Sequence, residues 1–230
     1  SVWVGDWRLE QDDGGSRAVA RRQEFAYDLH LVASDPPMLN GLAGFSTKAP
    51  DPRHASHYYS RPQLAVDGSV TLAGRTQPVT GRAWLDHEWS SELLPEGAQG
   101  WDWIGINLAD GSALMAFRLR GDREAALWAA ASLRRADGST QIFPPAAIAF
   151  EPLRHWRSPR TGITYPVEWR VRIEQRVFQL QVLMDDQELD SRRSTGAIYW
   201  EGAVRLLEGG REIGRGYLEM TGYGDKIRLG

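Results

Sequence analysis

Apolar and polar side chains alternate with a period of two along much of this chain, and tight-turn dipeptides interrupt the alternation. Few stretches keep a helical period. Such a chain buries one face of each extended segment, which commits it to an antiparallel sandwich or barrel. In 169–173, Trp169, Val171 and Ile173 face one way and Arg170 and Arg172 the other. In 178–184, Phe178, Leu180, Val182 and Met184 alternate with Gln179, Gln181 and Leu183. Glu174-Gln175-Arg176 between them is short enough for a hairpin. Asp67-Gly68, Asp110-Gly111 and Asp137-Gly138 sit between apolar runs and supply the positive φ of tight hairpin turns, and Glu208-Gly209-Gly210 is a fourth such turn. Residues 122–135 are Ala-rich and fit a helix by propensity. They also fit a strand with Leu127, Ala129, Ala131 and Leu133 on one face, and strand is the expectation because an Asp-Gly turn follows. Residues 35–62 and 152–167 read as long irregular loops that either close barrel ends or bind ligand, and 90–100 as a linker or wide hairpin loop.

Composition narrows the function. Lys+Arg is 27 against 30 Asp+Glu, a net charge of -3, which argues against nucleic acid or an anionic membrane surface as partner. With no cysteine, a disulfide scaffold and Cys-ligated zinc or iron–sulfur sites are excluded, while the compartment stays open. No G-x-S-x-G, G-x-G-x-x-G or P-loop is present, which disfavours elbow hydrolases and nucleotide binding. The ten Trp are the unusual number, since Trp favours cores, interfaces and ligand pockets.

Three stretches carry the candidate chemistry. In 83–89, Ala83, Leu85, His87 and Trp89 share one face of a strand and Trp84, Asp86 and Glu88 the other. In 100–108, Trp101 and Trp103 share a face against Asp102. If these two strands pair through the 90–100 loop, His87 and Trp89 lie beside Trp101 and Trp103. In 199–204 and 216–223, Tyr199 and Glu201 share a face, and so do Tyr217, Glu219, Thr221 and Tyr223. The functional reading is an apolar pocket walled by Trp84, Trp89, Trp101, Trp103, Tyr58, Tyr199, Trp200, Tyr217 and Glu219. His87 is its group titrating near neutral pH, and Glu201 or Asp102 its acid. Glu201, if buried beside aromatics, would have a raised pKa. The plainer reading makes these aromatics core and His87 a hydrogen-bond anchor. His54 and His57 lie three apart in a loop, and no metal is expected there or at 86–88.

Read in order, Gly41, Gly44-Phe45-Ser46-Thr47-Lys48, His57-Tyr58-Tyr59-Ser60, Gly81, Trp84-Leu85-Asp86-His87-Glu88-Trp89 and Gly100-Trp101-Asp102-Trp103 resemble a known family. The likeness continues through Trp156, Ser158-Pro159, Gly162, Tyr165-Pro166, Tyr199-Trp200-Glu201-Gly202, Gly214-Arg215-Gly216-Tyr217, Glu219 and Thr221-Gly222-Tyr223. It is the AttH/CrtC family, lipocalin-like proteins that include carotenoid 1,2-hydratases and secreted hydrolases. The resemblance spans essentially the whole chain. It implies an all-β fold of two packed lipocalin-like antiparallel barrels. Residues 1–93 would form the C-terminal part of the first, lacking its N-terminal strands, and 94–230 the second. It implies no cofactor, a large apolar terpenoid, polyene or lipid-like ligand, and a periplasmic or secreted location. A second polypeptide or a missing N-terminal segment would complete the first barrel. Hydratase, lyase or cyclase chemistry is one implied function; a non-catalytic carrier or export-accessory protein is the alternative. The chain also departs from the family. Carotenoid hydratases pair His-x-Trp with Tyr-x-Asp on a later strand, whereas the corresponding strand here, Leu114-Met115-Ala116-Phe117-Arg118, has neither Tyr nor Asp.

Overall fold

The computed structural model describes residues 1–92 and 94–224, the side chain of residue 124 excepted. Among these residues the chain is strand with two short 3-10 turns, at Asp122–Glu124 and Pro145–Ala147. The strands, in chain order, are β1 Val2–Val4, β2 Trp7–Asp12, β3 Gly15–Arg21, β4 Phe25–Val32, β5 Met38–Leu39, β6 Phe45–Thr47, β7 Ala55–Leu72, β8 Arg75–Glu92 and β9 Gly100–Leu108. They continue with β10 Ala113–Arg120, β11 Ala126–Arg134, β12 Thr140–Phe143, β13 Ile148–Arg157, β14 Thr164–Ile173, β15 Arg176–Val182, β16 Glu188–Ser191, β17 Ala197–Glu208 and β18 Arg211–Thr221. The chain forms two compact units, Ser1–Pro37 with Ser60–Asp86, and Met38–Tyr59 with His87–Gly230. The boundary expected after residue 93 falls on a residue outside those described.

The first unit is an antiparallel meander. β1 pairs β2, β2 pairs β3, β3 pairs β4, and β4 pairs β7 from Phe25↔Leu72 to Val32↔Ala65. Asp67-Gly68 is not a turn here. Both residues lie inside β7, where Gly68 has φ 150° and a Cβ would collide with the Asp28 carbonyl oxygen. Glycine serves close backbone approach at this position. The hairpin reverses instead at Ala73-Gly74, both at positive φ (48° and 76°), as a two-residue primed turn requires.

The second unit is built on a ten-stranded sheet in the order β12-β11-β10-β9-β18-β17-β15-β14-β13, with β16 on β17. Its ends come together, because β11 touches both β13 and the 145–147 turn. Inward residues pack as one core around Ile104, Ile106, Trp169, Leu180, Trp200 and Leu218, all fully buried. The other predicted hairpins are present: Gly111, Gly138, Glu174, Gly209 and Gly210 all take positive φ between paired strands. The Ala-rich segment is strand, β11. Ala129 and Ala131 are buried against the core, while Leu127 is exposed. Both expected loops contain strand, and the second is mostly strand. β5, β6 and the start of β7 occupy 35–62, and β13 and β14 reduce 152–167 to the hairpin 158–163.

Candidate functional site

Alternation on two neighbouring strands builds the most open aromatic group in the second unit. β8 directs His87 and Trp89 to one face and Glu88 to the other, and β7 does the same with His57 and Tyr59 against Ser56 and Tyr58. The Tyr59 hydroxyl and His87 Nδ1 are hydrogen bonded at 3.0 Å. The His87 and Trp89 rings lie 5.0 Å apart by centroid, and His57 stacks on Trp89 at 5.3 Å and 24°. Phe45 from β6 meets His57 edge-on at 6.1 Å. Trp89 is 51% exposed and Phe45 41%. The sequence places His57 in a loop; it belongs to a strand, which adjacent Ser56-His57 and Tyr58-Tyr59 hide by breaking the polar–apolar alternation.

The pairing expected between the His87 and Trp101 strands does not form. β8 pairs β7, while both edges of β9 are taken, by β10 and β18. His87 and Trp89 therefore neighbour Tyr59 and His57 rather than Trp101 and Trp103.

The opposite face of the same strands holds a buried charge. Lys48 is 5% exposed, and its ammonium pairs with Glu88 Oε1 at 2.6 Å and donates to Ser46 Oγ at 3.1 Å. Ser56 Oγ donates to the same Glu88 oxygen at 2.5 Å. The ammonium also lies 4.3 Å from the Phe117 ring centroid and 5.1 Å from that of Tyr58. Carboxylate, hydroxyl and two aromatic faces together make this burial tolerable. Buried Tyr58 accepts a hydrogen bond from Trp103 Nε1 at 2.9 Å. Neither Lys48 nor Glu88 was singled out from the sequence as a site residue; a lysine two residues after Ser46 carries no signal of burial until Phe117, nearly seventy positions on, is placed beside it.

A third group spans β9, β18 and β17. Trp101 Nε1 donates to Glu219 Oε1 at 2.7 Å, and Tyr217 Oη to Glu201 Oε2 at 3.3 Å. Glu201 and Glu219 stand opposite each other in the β17–β18 ladder, and Trp103 stands opposite Glu219 across β9. Burial pushes the Glu201 carboxyl above its ordinary range, with the Tyr217 hydrogen bond partly opposing it. Burial also raises the Tyr217 hydroxyl, and the charges of Glu201 and Glu219 add to that rise. Half-buried Tyr199 pairs with Thr221.

Three other expected site residues lie elsewhere. Asp102 is fully buried inside the ten-stranded sheet. It accepts from Arg118 Nε at 2.6 Å and Tyr223 Oη at 2.9 Å, with Arg120 Nε at 3.2 Å. Trp200 is core, fully buried and donating to the Asp185 carbonyl at 2.8 Å. Trp84 belongs to the first unit and donates to Asp86 Oδ1 at 2.8 Å. Alternation separates Asp102 from Trp101 and Trp103, and Trp200 from Glu201, because adjacent residues of a strand face opposite ways. Among the described residues, no group of three or more His, Cys, Asp or Glu is arranged to hold a metal ion.

A family profile described as AttH-like matches residues 1–223. A crystal structure of an AttH from Nitrosomonas europaea superposes with a TM-score of 0.91 at 50% identity, covering 95% of this chain and 68% of that one. Kievitone hydratase from Nectria haematococca superposes with a TM-score of 0.77 at 20% identity, over 98% of this chain and 71% of that one. CghA follows at 0.57 and 11% identity, over 94% and 66%. A comparison with curated protein sequences found no match. The all-β antiparallel architecture that the alternation predicts is thus the lipocalin-like fold that the family resemblance implied.

Proposed function

The chain belongs to the AttH-like family, and on that premise we propose that it binds a large apolar molecule, of terpenoid, polyene or lipid-like kind, on the aromatic face of β7 and β8. The observation that carries this reading is the Tyr59–His87 hydrogen bond set beside an indole that is half open to solvent. Clustered exposed aromatics mark sites that something else covers. A tethered imidazole among them supplies a polar handle for orientation or proton transfer. The chemistry we assign is cofactor-free acid–base catalysis of the hydratase, lyase or cyclase type. Sharing a fold with a protein named kievitone hydratase supports that class. In this scheme Trp89 offers its ring face to the ligand and His87 orients water or a polar group. Of the two carboxyls considered as the acid, Asp102 has donors on both oxygens, and Glu201, raised by burial, bonds Tyr217 on β18 with no described contact to this face. A carrier without chemistry is the second reading. It is favoured by the one departure from the hydratase pattern, the missing Tyr-x-Asp at 114–118.

Titration with cis-parinaric acid, a fluorescent polyene, tests the binding. The expected result is saturable energy transfer from tryptophan, weakened about tenfold by Trp89→Leu, or ~1.4 kcal/mol. His87→Ala should leave affinity within a few-fold while abolishing any turnover. Unsaturable transfer, or affinity untouched by Trp89→Leu, would overturn the assignment to this face. An unchanged rate in Glu201→Gln would remove that residue as the acid.

A further inference from the structure

We propose that His57 is a second proton-transfer residue of the His87 site, and that the pair acts on an alkene conjugated to a carbonyl group. The inference rests on the reading above and deepens it. A hydration or its reverse needs a group to take a proton from water and a group to hold the charge that develops on the substrate. Neither Glu201 nor Asp102 has a described contact with the aromatic face of β7 and β8, and the groups that form that face are Phe45, His57, Tyr59, His87 and Trp89. His57 is exposed, its ring stacks on Trp89 and meets Phe45, its partner in the β6–β7 ladder, and its imidazole nitrogens have no hydrogen bond among the described residues, so both can exchange protons. His87 differs. Its Nδ1 faces the Tyr59 hydroxyl at 3.0 Å. When that hydroxyl donates, the neutral ring carries its proton on Nε2, pointing away from Tyr59. His87 is then a hydrogen-bond donor to substrate and His57 the mobile base.

The substrate class follows from acid strength. Imidazolium is as a class far too weak an acid to protonate an isolated alkene to a carbocation. It is well matched to an enolate. In the forward direction His57 takes a proton from water while the water oxygen bonds to the β-carbon. The π pair moves onto the α-carbon and carbonyl oxygen, where the His87 Nε2–H meets the developing oxyanion. His57 then returns its proton to the α-carbon. One water has been added, both imidazoles are back in their starting forms, and no oxidant, reductant or cofactor enters. The strong acid missing from 114–118 is not needed for this reaction. Trp89, flanked by both imidazoles, offers its exposed ring area to a flat conjugated system.

The test uses β-ionone, an isoprenoid enone, and the full chain in deuterated water. Binding is read by tryptophan quenching and α-carbon deuteration by mass spectrometry. Wild type should deuterate the probe. His57→Gln should slow exchange about a hundred-fold with affinity held within three-fold, and His57→Asn, a second variant at this exposed position, should do the same. Binding without exchange, or exchange indifferent to both variants, overturns the proposal and leaves the apolar-ligand reading standing. Failure of β-ionone and cis-parinaric acid alike to bind overturns both. One readout needs no substrate: long-range proton–nitrogen NMR should find neutral His87 protonated on Nε2, shifting toward the other tautomer in Tyr59→Phe. A proton on Nδ1 in the wild type sinks the assigned roles.

Discussion

Two regions of the second unit place ionisable groups among aromatic rings, and they do so to opposite ends. On the β7–β8 face, His57 and His87 sit against Trp89 with ring area open to water and little hydrogen bonding beyond Tyr59. Inside the ten-stranded sheet, Asp102 sits among Arg118, Arg120 and Tyr223. The Arg120 guanidinium lies 3.8 Å from the Tyr223 ring centroid, and Arg118 lies 5.0 Å from that of Trp169. The first arrangement leaves binding capacity unused. The second consumes it, which is what a charge in a dry interior requires. Aromatic surroundings alone therefore do not mark a site; unsatisfied and reachable polar groups do.

The contrast is open to attack at several points. Asp102→Ala would take the carboxylate from two buried guanidinium groups and should lower unfolding free energy by about 3–5 kcal/mol, read as a drop in the urea midpoint; an unchanged midpoint would mean the buried cluster is not structural. Glu88→Ala tests an intermediate case. Lys48 is buried, but the Glu88 side chain is 34% exposed, so screening reduces the expected loss to about 1–2 kcal/mol. Glu201→Gln addresses the half-buried carboxyl. Because its folded pKa is raised, the folded state holds the proton more tightly than the unfolded chain. Its contribution is then full below the unfolded value near 4.3 and is lost as pH rises through the folded one. Urea midpoints measured across that window should fall with pH more steeply in wild type than in the Gln variant. Equal slopes would place the carboxyl in water. The smallest effect is expected on the open face, where His57→Ala and His87→Ala should each shift stability by no more than about 0.5 kcal/mol. Losses of several kcal/mol would make these imidazoles structural.

Much of the strand pattern was legible because it is local. The turns at 110–111, 137–138 and 209–210 announce themselves through residues that tolerate positive φ, and the 169–182 hairpin through two alternating runs. Asp67-Gly68 misled because glycine answers two needs, reversal and close approach, and only the second operates at Gly68. The true reversal at Ala73-Gly74 carries a single glycine and an alanine held at positive φ, which no dipeptide rule anticipates. Strand partners were harder still. Trp101 and Trp103 look like neighbours of His87 in sequence, but β9 takes its second edge from a strand that begins a hundred residues later. The Lys48 pair was invisible for the same reason, since it needs Glu88 and Phe117 brought to one point.

That placement of β9 has a consequence for the newborn chain. β9 ends at Leu108, and the strand that closes its second edge begins only at Arg211. At about 5–20 residues per second of synthesis, the β9 edge waits roughly 5–20 s for its partner. Through that interval Trp101 lacks Glu219 and Thr221, and Asp102 lacks Tyr223, hydrogen-bonding groups that hold them in the finished fold. The nascent protein thus carries an unpaired, tryptophan-bearing edge for seconds, long enough for a chaperone to find it or for a neighbouring chain on the same message to pair with it.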